Sequence, residues 1–522
     1  MRYLISMKSP MMISKTKKFF FRAIKFILVF TLQLIIIAFF VEFSLRAGAF
    51  IWKNIYRFNH RNDKDFYIYV IGESTSWGVP FGNKISFPKI VSYMFDNKIH
   101  NKYIKIINLA IGGRNIEYEY WKLFNELLIR PNSDGILLIY AGINDAVGIN
   151  SKPDPTFGRW RFMQTSIILS KLQYLLEGMI CDNEGGTSNN FLFNFFGLKN
   201  SLGKYEYRLR KIITLTKSYN LKVVISTLVG NIAQFNPQDN SVCTSEGALK
   251  LFNLARSFED QGEFKTAMGI YENIVEKFNI RPLQIYHHLG KCYEGLQIYD
   301  KAREYYWKAI DAGDPARPNH WRNKAIIDLA KEYNIGLVDA LKIFEDNSPY
   351  GLIGYNLFVD AHHPNLEGYI LLGSGFTKEM EKLLGEKAER QIVTGEEILN
   401  HFDFKAADFF EVYMWGVWWL CLESVPVCDR EERLKIAEYY LKKAEEIKIT
   451  PEIYFWYFIL ASLRNDKEKT LYWLEKGKLL TENRVVFYGR REMFKMFKRF
   501  GILEDVLPEN ISNEIIKLAE NS

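Results

Sequence analysis

The sequence predicts an α/β fold, in which a parallel sheet with helices on both faces is interrupted by an all-α insertion and followed by more helices. Three observations support this prediction. From Asp65 onward, short apolar runs alternate with longer amphipathic ones. A 35-residue internal repeat separates the last two predicted strands, and a long apolar stretch lies near the N-terminus. The 522 residues are 48% hydrophobic and 25% charged, a globular composition that suits two or three domains.

A membrane anchor is predicted at the N-terminus. Residues 1–25 form a basic leader with seven Lys or Arg residues and no Asp or Glu, and residues 26–45 are almost entirely apolar. About 20 apolar residues cross a bilayer as a helix. Because positive charge before the span favours the cytoplasm, we expect a cytoplasmic N-terminus, a single-pass transmembrane helix and an extracytoplasmic remainder. A cleaved secretory signal is the open alternative, although its apolar region is usually only about 7 to 15 residues long.

The charge distribution argues against a nucleic-acid partner. The formal net charge is +7, and the basic leader alone carries seven positive charges, so the remaining residues are neutral overall. Nucleic-acid-binding domains usually carry a basic patch. We therefore expect the chain to have no nucleic-acid partner.

The five cysteines include no CxxC pair, so the sequence does not support a zinc ribbon or thioredoxin-like chemistry. In an exported chain, Cys181 can pair with Cys243 inside the first domain, and Cys421 with Cys428 across a short loop. An odd count leaves at least one thiol over. Burial of the cysteines as small apolar residues is an equally open alternative.

Five strands are predicted for the α/β domain, which covers residues 46–245 and 317–385. Their apolar runs lack polar alternation, as expected of parallel strands buried on both faces. The stretch between the fourth and fifth strands is too long for one crossover helix, which indicates an insertion at residues 246–316. The predicted strands are Phe66–Ile71, Lys105–Ala110, Gly135–Tyr140, Lys222–Thr227 and Gly336–Val338.

The insertion contains the internal repeat. A shift of 35 residues places Ala255 on Gly290 and Tyr271 on Tyr306. Small and aromatic residues at these positions resemble the tetratricopeptide repeat, whose unit is a pair of antiparallel helices of about 34 residues. The resemblance implies two repeat units that offer a surface to a protein partner.

Residues 386–522 are predicted to be helical and contain a weaker repeat. A shift of 33 residues places Leu441 on Leu474, which indicates degenerate helical repeats. The Trp-rich stretch Tyr413–Leu420 suits a helix buried among these repeats. A patch that faces a membrane or a partner is the open alternative.

Polar or glycine-rich turns follow three of the predicted strands, and a fourth polar segment precedes a predicted amphipathic helix. In open α/β sheets, sites assemble at the carboxyl ends of the strands. A site is therefore expected where these four segments meet, which are Gly72–Ser76, Gly112–Asn115, Gly142–Asp145 and Asp360–Asn365.

The residues of these segments suit nucleophilic attack on an acyl group. A serine needs a histidine to accept its proton, and the histidine needs a carboxylate to fix its tautomer. Ser74, His363 and Asp360 supply these groups. The backbone N–H groups of Ser74 and Gly113 and the side-chain amide of Asn144 can act as oxyanion-hole donors.

The same residues allow other interpretations. Taken singly, each is an ordinary cap or turn residue. His362 neighbours His363, but the D-x-x-H spacing and the proline that follows favour His363. A metal site built from Asp145, Asp360 and the two histidines has no spacing motif behind it. We therefore expect neither a metal nor a cofactor.

The four segments, in this order, resemble the sequence blocks of the SGNH, or GDSL-like, hydrolase superfamily. Ser74 matches the nucleophile of the first block, and Gly113 matches the glycine of the second. Asn144 matches the asparagine of the third block, in a G-x-N-D sequence. Asp360 and His363 match the D-x-x-H pair of the fourth. The resemblance implies that these residues form a catalytic triad and an oxyanion hole.

This resemblance covers about residues 65–230 and 317–385. It implies a flavodoxin-like fold with a five-stranded parallel sheet, and a serine esterase or acyl transferase that acts on O-acyl groups of a polysaccharide or a lipid. Glu73 stands where the family usually has Asp, which puts the subfamily in doubt. The stretch Val147–Asn200, rich in aromatic residues and glycine, is the predicted acyl or sugar pocket.

A function of a different class also stays open. The helical repeats would then bind a protein partner, and the hydrolase-like domain would be a passive or carbohydrate-binding module of a scaffold. The intact set of Ser, Asn, Asp and His favours the enzyme.

Overall fold

The computed structural model describes residues 64–113, 116–130, 134–145, 201–427 and 429–521, together with part of a helix between residues 25 and 55. The basic leader before Lys25, the predicted pocket stretch Val147–Asn200, Cys181 and Cys428 lie outside the described residues. The chain divides into two compact units.

One unit comprises Met1–Asp63, Glu126–Asn132 and Pro155–Gly197. Its helix Leu28–Leu45 is long and apolar enough to cross a membrane, and its described side chains are mostly exposed. This is the span that the sequence predicts. A membrane anchor and a signal sequence are both compatible with such a helix.

The second unit comprises Lys64–Asn125, Ser133–Asp154 and Leu198–Ser522, and it contains a six-stranded sheet. The strands lie in the order β2-β3-β1-β4-β5-β6, all parallel except β2, which runs antiparallel to β3. They are β1 (Asp65–Gly72), β2 (Lys98–Ile99), β3 (Lys102–Asn108), β4 (Gly135–Tyr140), β5 (Lys222–Ser226) and β6 (Gly336–Val338).

The prediction of exactly five parallel strands is therefore wrong by one short edge strand. The five predicted strands form the parallel part, and β2 adds two antiparallel residues beside β3. β2 lies between Asp96 and Asn101, and four residues of these flanking turns have positive φ angles near 50–59°. A two-residue strand between tight turns has no apolar run, so periodicity does not reveal it.

The strand register brings the carboxyl ends of three strands to one edge. Gly72 at the end of β1 lies beside Tyr140 at the end of β4. Val70 pairs with Asn108 at the end of β3. The segments that follow these strands therefore begin side by side.

The helices fall into four consecutive groups. The first part of the α/β domain contains α1 (Ser74–Trp77), α2 (Phe87–Met94), α3 (Ile116–Ile129) and α4 (Ser201–Ser218). The insertion contains α5 (Glu246–Asp260), α6 (Phe264–Lys277), α7 (Leu283–Gly295) and α8 (Tyr299–Asp311). The second part contains α9 (His320–Tyr333), α10 (Ala340–Asp346) and α11 (Leu366–Leu384). The C-terminal region contains α12 (Gly395–His401), α13 (Asp408–Ser424), α14 (Glu431–Ile447), α15 (Pro451–Leu463), α16 (Lys467–Lys476), α17 (Arg491–Phe500) and α18 (Glu509–Glu520).

The insertion has its own hydrophobic cluster, and its sequence repeat is also a repeat of contacts. Tyr271 donates a hydrogen bond to Glu259 at 2.8 Å, and Tyr306 donates one to Glu294 at 2.5 Å. Each member of the second pair lies 35 residues after its counterpart in the first. Gly290 lies against the ring of Tyr306, where a Cβ atom would come within 2.7 Å of the ring. In each helix pair of the insertion, the second helix is thus linked to the first by the same kind of Tyr–Glu hydrogen bond.

The C-terminal helices share a hydrophobic cluster with loops of the α/β domain. Buried residues of α13 to α18 pack together with Phe235, Ala316, Val359 and Ala361. The last two of these residues flank Asp360 in the fourth polar segment. The C-terminal region therefore supports the loops from which the predicted site is built.

Cysteine pairing is partly settled by the described residues. Cys421 is a free, buried thiol, so the predicted pair of Cys421 and Cys428 is wrong. Its position explains this, because the side chain is completely buried in the hydrophobic cluster of the C-terminal region. Cys292 is also free and buried, whereas Cys243 is disulfide-bonded. Its pairing with Cys181 stays a prediction.

Candidate active site

Ser74 lies directly after β1, at the start of α1. The short helix ends at Gly78, whose φ of 112° turns the chain away from the sheet. Ser74 is partly exposed, whereas its neighbours Glu73, Thr75 and Ser76 are buried. The turn thus presents one hydroxyl at the carboxyl edge of the sheet.

His363 and Asp360 come from a tight loop that a bridge between Phe358 and Pro364 closes. His363 Nε2 lies 2.8 Å from Ser74 Oγ, and His363 Nδ1 lies 2.6 Å from Asp360 Oδ2. The structure thus brings these three predicted residues together in one hydrogen-bonded series. The arrangement lets the histidine accept the serine proton while the carboxylate holds the imidazole in place.

The loop backbone holds Asp360 in position. Its Oδ1 atom accepts the N–H groups of His362 and His363 at 2.9 and 2.8 Å, which leaves Oδ2 for the imidazole. Complete burial alone would raise the pKa of Asp360, but the charge and hydrogen bond of His363 outweigh it and hold the pKa at about 2. The group is therefore a carboxylate at neutral pH.

His362, the alternative histidine, faces elsewhere. Its Nδ1 atom lies 3.0 Å from the carbonyl oxygen of Ala316. Burial, together with the charge of His363, lowers the pKa of His362 to about 4. Its imidazole is therefore neutral under physiological conditions. The hydrogen bond to Ser74 distinguishes His363 from its neighbour, as the D-x-x-H spacing predicts.

Asp360, His362 and His363 also form a cluster whose ligand atoms lie within 4.8 Å of one another, a spacing that a metal ion can bridge. Each of the three side chains already has a hydrogen-bond partner in this arrangement. Asp145, the fourth member of the predicted alternative, is bound by Arg208 and by the N–H of Ile116. The expectation that the site holds no metal stays a prediction.

Glu73 has a structural role that sequence reasoning missed. Its buried carboxylate accepts the N–H groups of Gly142, Ile143 and Asn144 at 3.2, 2.8 and 3.0 Å. Burial, with a contribution from Asp145, raises the pKa of Glu73 to about 8, although the N–H groups act in the opposite direction. The residue before the serine thus fixes the backbone of the third block.

Asp145, the last residue of the G-x-N-D sequence, joins that block to three helices. Its carboxylate accepts the N–H of Ile116 at the start of α3 at 3.2 Å and pairs with Arg208 of α4 at 2.6 Å. Arg322 of α9 donates to its backbone oxygen at 2.6 Å. The aspartate is 4% exposed, so its role is to position the loop.

The predicted oxyanion-hole residues border this site. Gly113 has a φ of +72°, a conformation that favours glycine, and a Cβ atom there would meet nothing within 4 Å. A Cβ atom on Gly112 would lie 3.7 Å from Cβ of Ser74, so the two segments are adjacent. Asn144 is exposed, and its backbone N–H is held by Glu73. The donor roles of Gly113 and Asn144 stay predictions.

Two tryptophans of α13 contact His363, and the sequence analysis did not predict this contact. We call Trp415 and Trp419 the Trp pair. Their rings lie 5.7 and 5.8 Å from the imidazole of His363, nearly perpendicular to it. The spacing of four residues places both on one helix face, but periodicity cannot say what that face contacts. The prediction that this stretch is a helix buried among repeats therefore omits the contact with the α/β domain.

No family model and no curated protein matches this chain. Solved structures that are similar include GDSL-like lipases, acetyl xylan esterases and acylhydrolases of the SGNH superfamily. A GDSL-like lipase from Bacteroides thetaiotaomicron is 11% identical, with a TM-score of 0.27 over 61% of this chain and 88% of that one. The acetylxylan esterase Axe2 from Geobacillus stearothermophilus is 15% identical, with a TM-score of 0.29 over 62% and 95%.

The chain spans 57% of the length of another similar structure, the protein YxiM from Bacillus subtilis, at 14% identity and a TM-score of 0.30. The GDSL-like lipase belongs by its name to the class that the four sequence blocks resemble. At such identities and TM-scores, the similarity carries no conclusion about activity. The function is therefore argued from the site itself.

Proposed function

We propose that this protein is an SGNH-type serine esterase or acyl transferase that acts on O-acyl groups of a polysaccharide or a lipid. The observation that carries the proposal is the series Ser74 Oγ to His363 Nε2 at 2.8 Å and His363 Nδ1 to Asp360 Oδ2 at 2.6 Å. Ser74 is the nucleophile, His363 the general base and acid, and Asp360 the residue that orients and stabilises the imidazolium.

In the first half of the proposed reaction, the Ser74 oxygen attacks the acyl carbon while its proton passes to His363. The carbonyl π electrons move to the oxygen, which becomes an oxyanion. As the C–O bond to the alcohol breaks, His363 gives its proton to the leaving oxygen. The acyl group is then an ester of Ser74. Water or a second alcohol reverses these steps and takes the acyl group.

The backbone N–H groups of Ser74 and Gly113 and the amide of Asn144 are the proposed donors to the oxyanion. Preorganised donors at such a site each lower the barrier by roughly 2.7 to 4 kcal/mol. The hydrogen bonds from three N–H groups to Glu73 support the role of Asn144, because they fix the backbone that carries it.

We place the catalytic domain outside the cytoplasm, tethered by the N-terminal helix. The helix Leu28–Leu45 and the disulfide at Cys243 support this location, since disulfides persist in oxidising compartments. We also propose that the insertion consists of two tetratricopeptide-like units that bind a protein partner. The repeated Tyr–Glu hydrogen bonds, 35 residues apart, support that assignment.

A fluorophosphonate probe, which reacts with activated serines, tests the proposal. We expect the full-length protein in detergent to take the label at Ser74 and the Ser74→Ala variant to take none. Ser76→Ala is the matched control, because Ser76 lies two residues away and donates to the Tyr140 carbonyl. Labelling of Ser74→Ala, or none of the wild type, would favour the scaffold function instead.

Hydrolysis and transfer are separated by their products. With an aryl acetate as donor, an esterase releases acetate at the same rate whether or not an alcohol is added. A transferase forms the acetylated alcohol, and its rate of aryl release rises with the alcohol concentration.

A further inference from the structure

We propose that the Trp pair, Trp415 and Trp419, binds a sugar ring of the substrate on the side of the leaving alcohol. The inference rests on the proposed esterase or acyl transferase function. In that mechanism, His363 gives its proton to the leaving alcohol, so groups that touch the His363 ring lie beside that alcohol. Trp415 and Trp419 are such groups.

The geometry of the Trp pair suits a flat ligand. The two indole planes are parallel to within 7°, with ring centroids 6.0 Å apart, and both rings are partly exposed. Large aromatic side chains that stay partly exposed beside a nucleophile forgo part of the burial that would stabilise the fold. Pockets for small ligands typically combine such apolar walls with a few polar groups.

Trp418 is partly exposed as well, but its ring makes a different set of contacts. It lies on the same helix and packs against the hydrophobic cluster of the C-terminal region. Its ring also contacts both members of the Trp pair, at 4.9 and 5.3 Å. Trp418 thus packs at the edge of the helical cluster, whereas the rings of Trp415 and Trp419 contact His363.

The indole N–H groups favour a sugar over an acyl chain. The Nε1 atoms of Trp415 and Trp419 are shielded from solvent and have no hydrogen-bond partner among the described residues. A shielded donor without an acceptor is costly in a folded protein. A sugar ring offers C–H groups that pack on an aromatic face and also hydroxyl oxygens that accept from an N–H. An acyl chain offers only the C–H groups.

Binding to the inactive Ser74→Ala protein tests the inference without turnover. The probes are O-acetylated xylo-oligosaccharides and chito-oligosaccharides, with titration calorimetry on full-length protein in detergent. We expect the double substitution Trp415→Phe and Trp419→Phe to raise the Kd of the bound oligosaccharide at least about tenfold. Loss of one hydrogen bond or packing contact has an effect of this order on Kd. Trp418→Phe is the matched control, and its Kd should stay within about twofold.

An unchanged Kd in the double variant would overturn the inference, as would an equal loss in Trp418→Phe or no binding of either probe to Ser74→Ala. If the double variant fails to fold, each single Phe variant serves for the same measurement. If Ser74→Ala binds an oligosaccharide and the Trp substitutions weaken that binding, the inference is supported. This holds even if the wild type turns over no ester. In that case the proposed catalytic function fails and the sugar site stands.

Turnover separates the sugar from an acyl chain. If the Trp pair contacts the alcohol, the double variant loses kcat/KM on the acetylated oligosaccharide at least about tenfold more than on p-nitrophenyl octanoate. A larger loss on the octanoate ester would assign the Trp pair to the acyl chain and overturn the sugar assignment.

Discussion

The sheet-edge site and the helical layer behind it are held together in different ways. At the sheet edge, acidic side chains bind backbone N–H groups of loops, as Glu73 does for three residues and Asp360 for two. Between the insertion and the C-terminal region, buried charges join side chain to side chain. The loops at the strand ends can therefore be identified from short sequence blocks. The contacts between the helices of the insertion and of the C-terminal region cannot be identified in this way.

His288 of α7 is the centre of the second kind of contact. Its Nδ1 atom lies 2.9 Å from Glu259 of α5, and its Nε2 atom lies 2.8 Å from Asp429, which precedes α14. The insertion is thus linked to the C-terminal region through an imidazole between two carboxylates. We call this the His288 network, whose charged members are Arg256, Glu259, His288, Lys291, Asp429 and Glu432.

The His288 network is largely shielded from water. Burial alone would lower the pKa of His288, but Glu259 and Asp429 outweigh it and raise the pKa above its usual value. Burial alone would raise the pKa of Glu259, but the charge of His288 and its hydrogen bond bring it to about 2. The ring of Tyr271 stacks on His288 at 5.5 Å. The raised pKa favours the protonated form of the imidazole that joins the two regions.

Removal of residues 386–522 is expected to have the largest effect on the molecule. It exposes the apolar faces of Phe235 and Val359, takes away the Trp pair, and separates Asp429 from His288. We expect the shortened chain to melt at a clearly lower temperature and to lose the proposed turnover of an aryl acetate. Calorimetric unfolding and aryl acetate turnover measure the two effects. Equal melting temperature and activity would mean that the helical layer is independent of the site.

The His288→Ala substitution should have the next largest effect, on stability rather than on chemistry. It removes the imidazole that Glu259 and Asp429 share, although Glu259 keeps its pairs with Arg256 and Lys291. Loss of one partner from a buried ion pair costs up to about 3 to 5 kcal/mol of unfolding free energy. Denaturant unfolding measures this loss. His320→Ala is the control, because its pair with Asp311 is half exposed and should contribute only about 0 to 1 kcal/mol.

The pH dependence of the same variant gives a second measure. Because the folded pKa of His288 is raised above the ordinary 6.5, its stabilisation is complete below about pH 6.5 and is lost as the pH rises through the folded value. The wild type should lose stability over this range, and His288→Ala should lose less. The groups that face His288 are Arg256, Glu259, Tyr271, His287, Lys291, Asp429 and Glu432. Equal pH profiles would contradict a protonated His288.

At the sheet edge, Asn144→Ala should lower kcat about 10² to 10³-fold if its amide contacts the oxyanion. The expected melting temperature is unchanged, because Asn144 is exposed. Asp145→Asn is the contrasting variant, since it weakens the pair with Arg208 and should lower the melting temperature. A full rate for Asn144→Ala would remove this residue from the oxyanion hole.

The contrast between the regions also explains what the sequence could predict. Ser74, Asp360 and His363 stand in blocks at strand ends, where residue type and order limit the chemistry, and their contacts were foreseeable. The link from His288 to Asp429 spans 141 residues and depends on how two helical regions pack. The contact of Trp419 with His363 depends on the same packing. Periodicity can show that α13 is a helix, but it cannot show which tertiary contacts its face makes.

The smallest expected effect concerns Glu73. This residue lies at the sheet edge, yet its structural role was not foreseen from the sequence. Both oxygens of the Glu73 carboxyl group accept N–H groups of the third block, and the amide nitrogen of Glu73→Gln can accept none. The third block should then loosen, and we expect kcat for an aryl acetate to fall roughly tenfold, about 1.4 kcal/mol, with little change in KM.

The pH dependence of stability shows whether Glu73 acts through its charge. Its pKa is raised from 4.5 to about 8, so its contribution is complete below about pH 4.5 and is lost as the pH rises to about 8. Glu73→Gln cannot titrate, and this part of the profile should flatten. Glu73→Asp keeps a carboxylate and should restore part of the rate. If Gln keeps the full rate and Asp lowers it, the length of the side chain matters, and the carboxyl group does not.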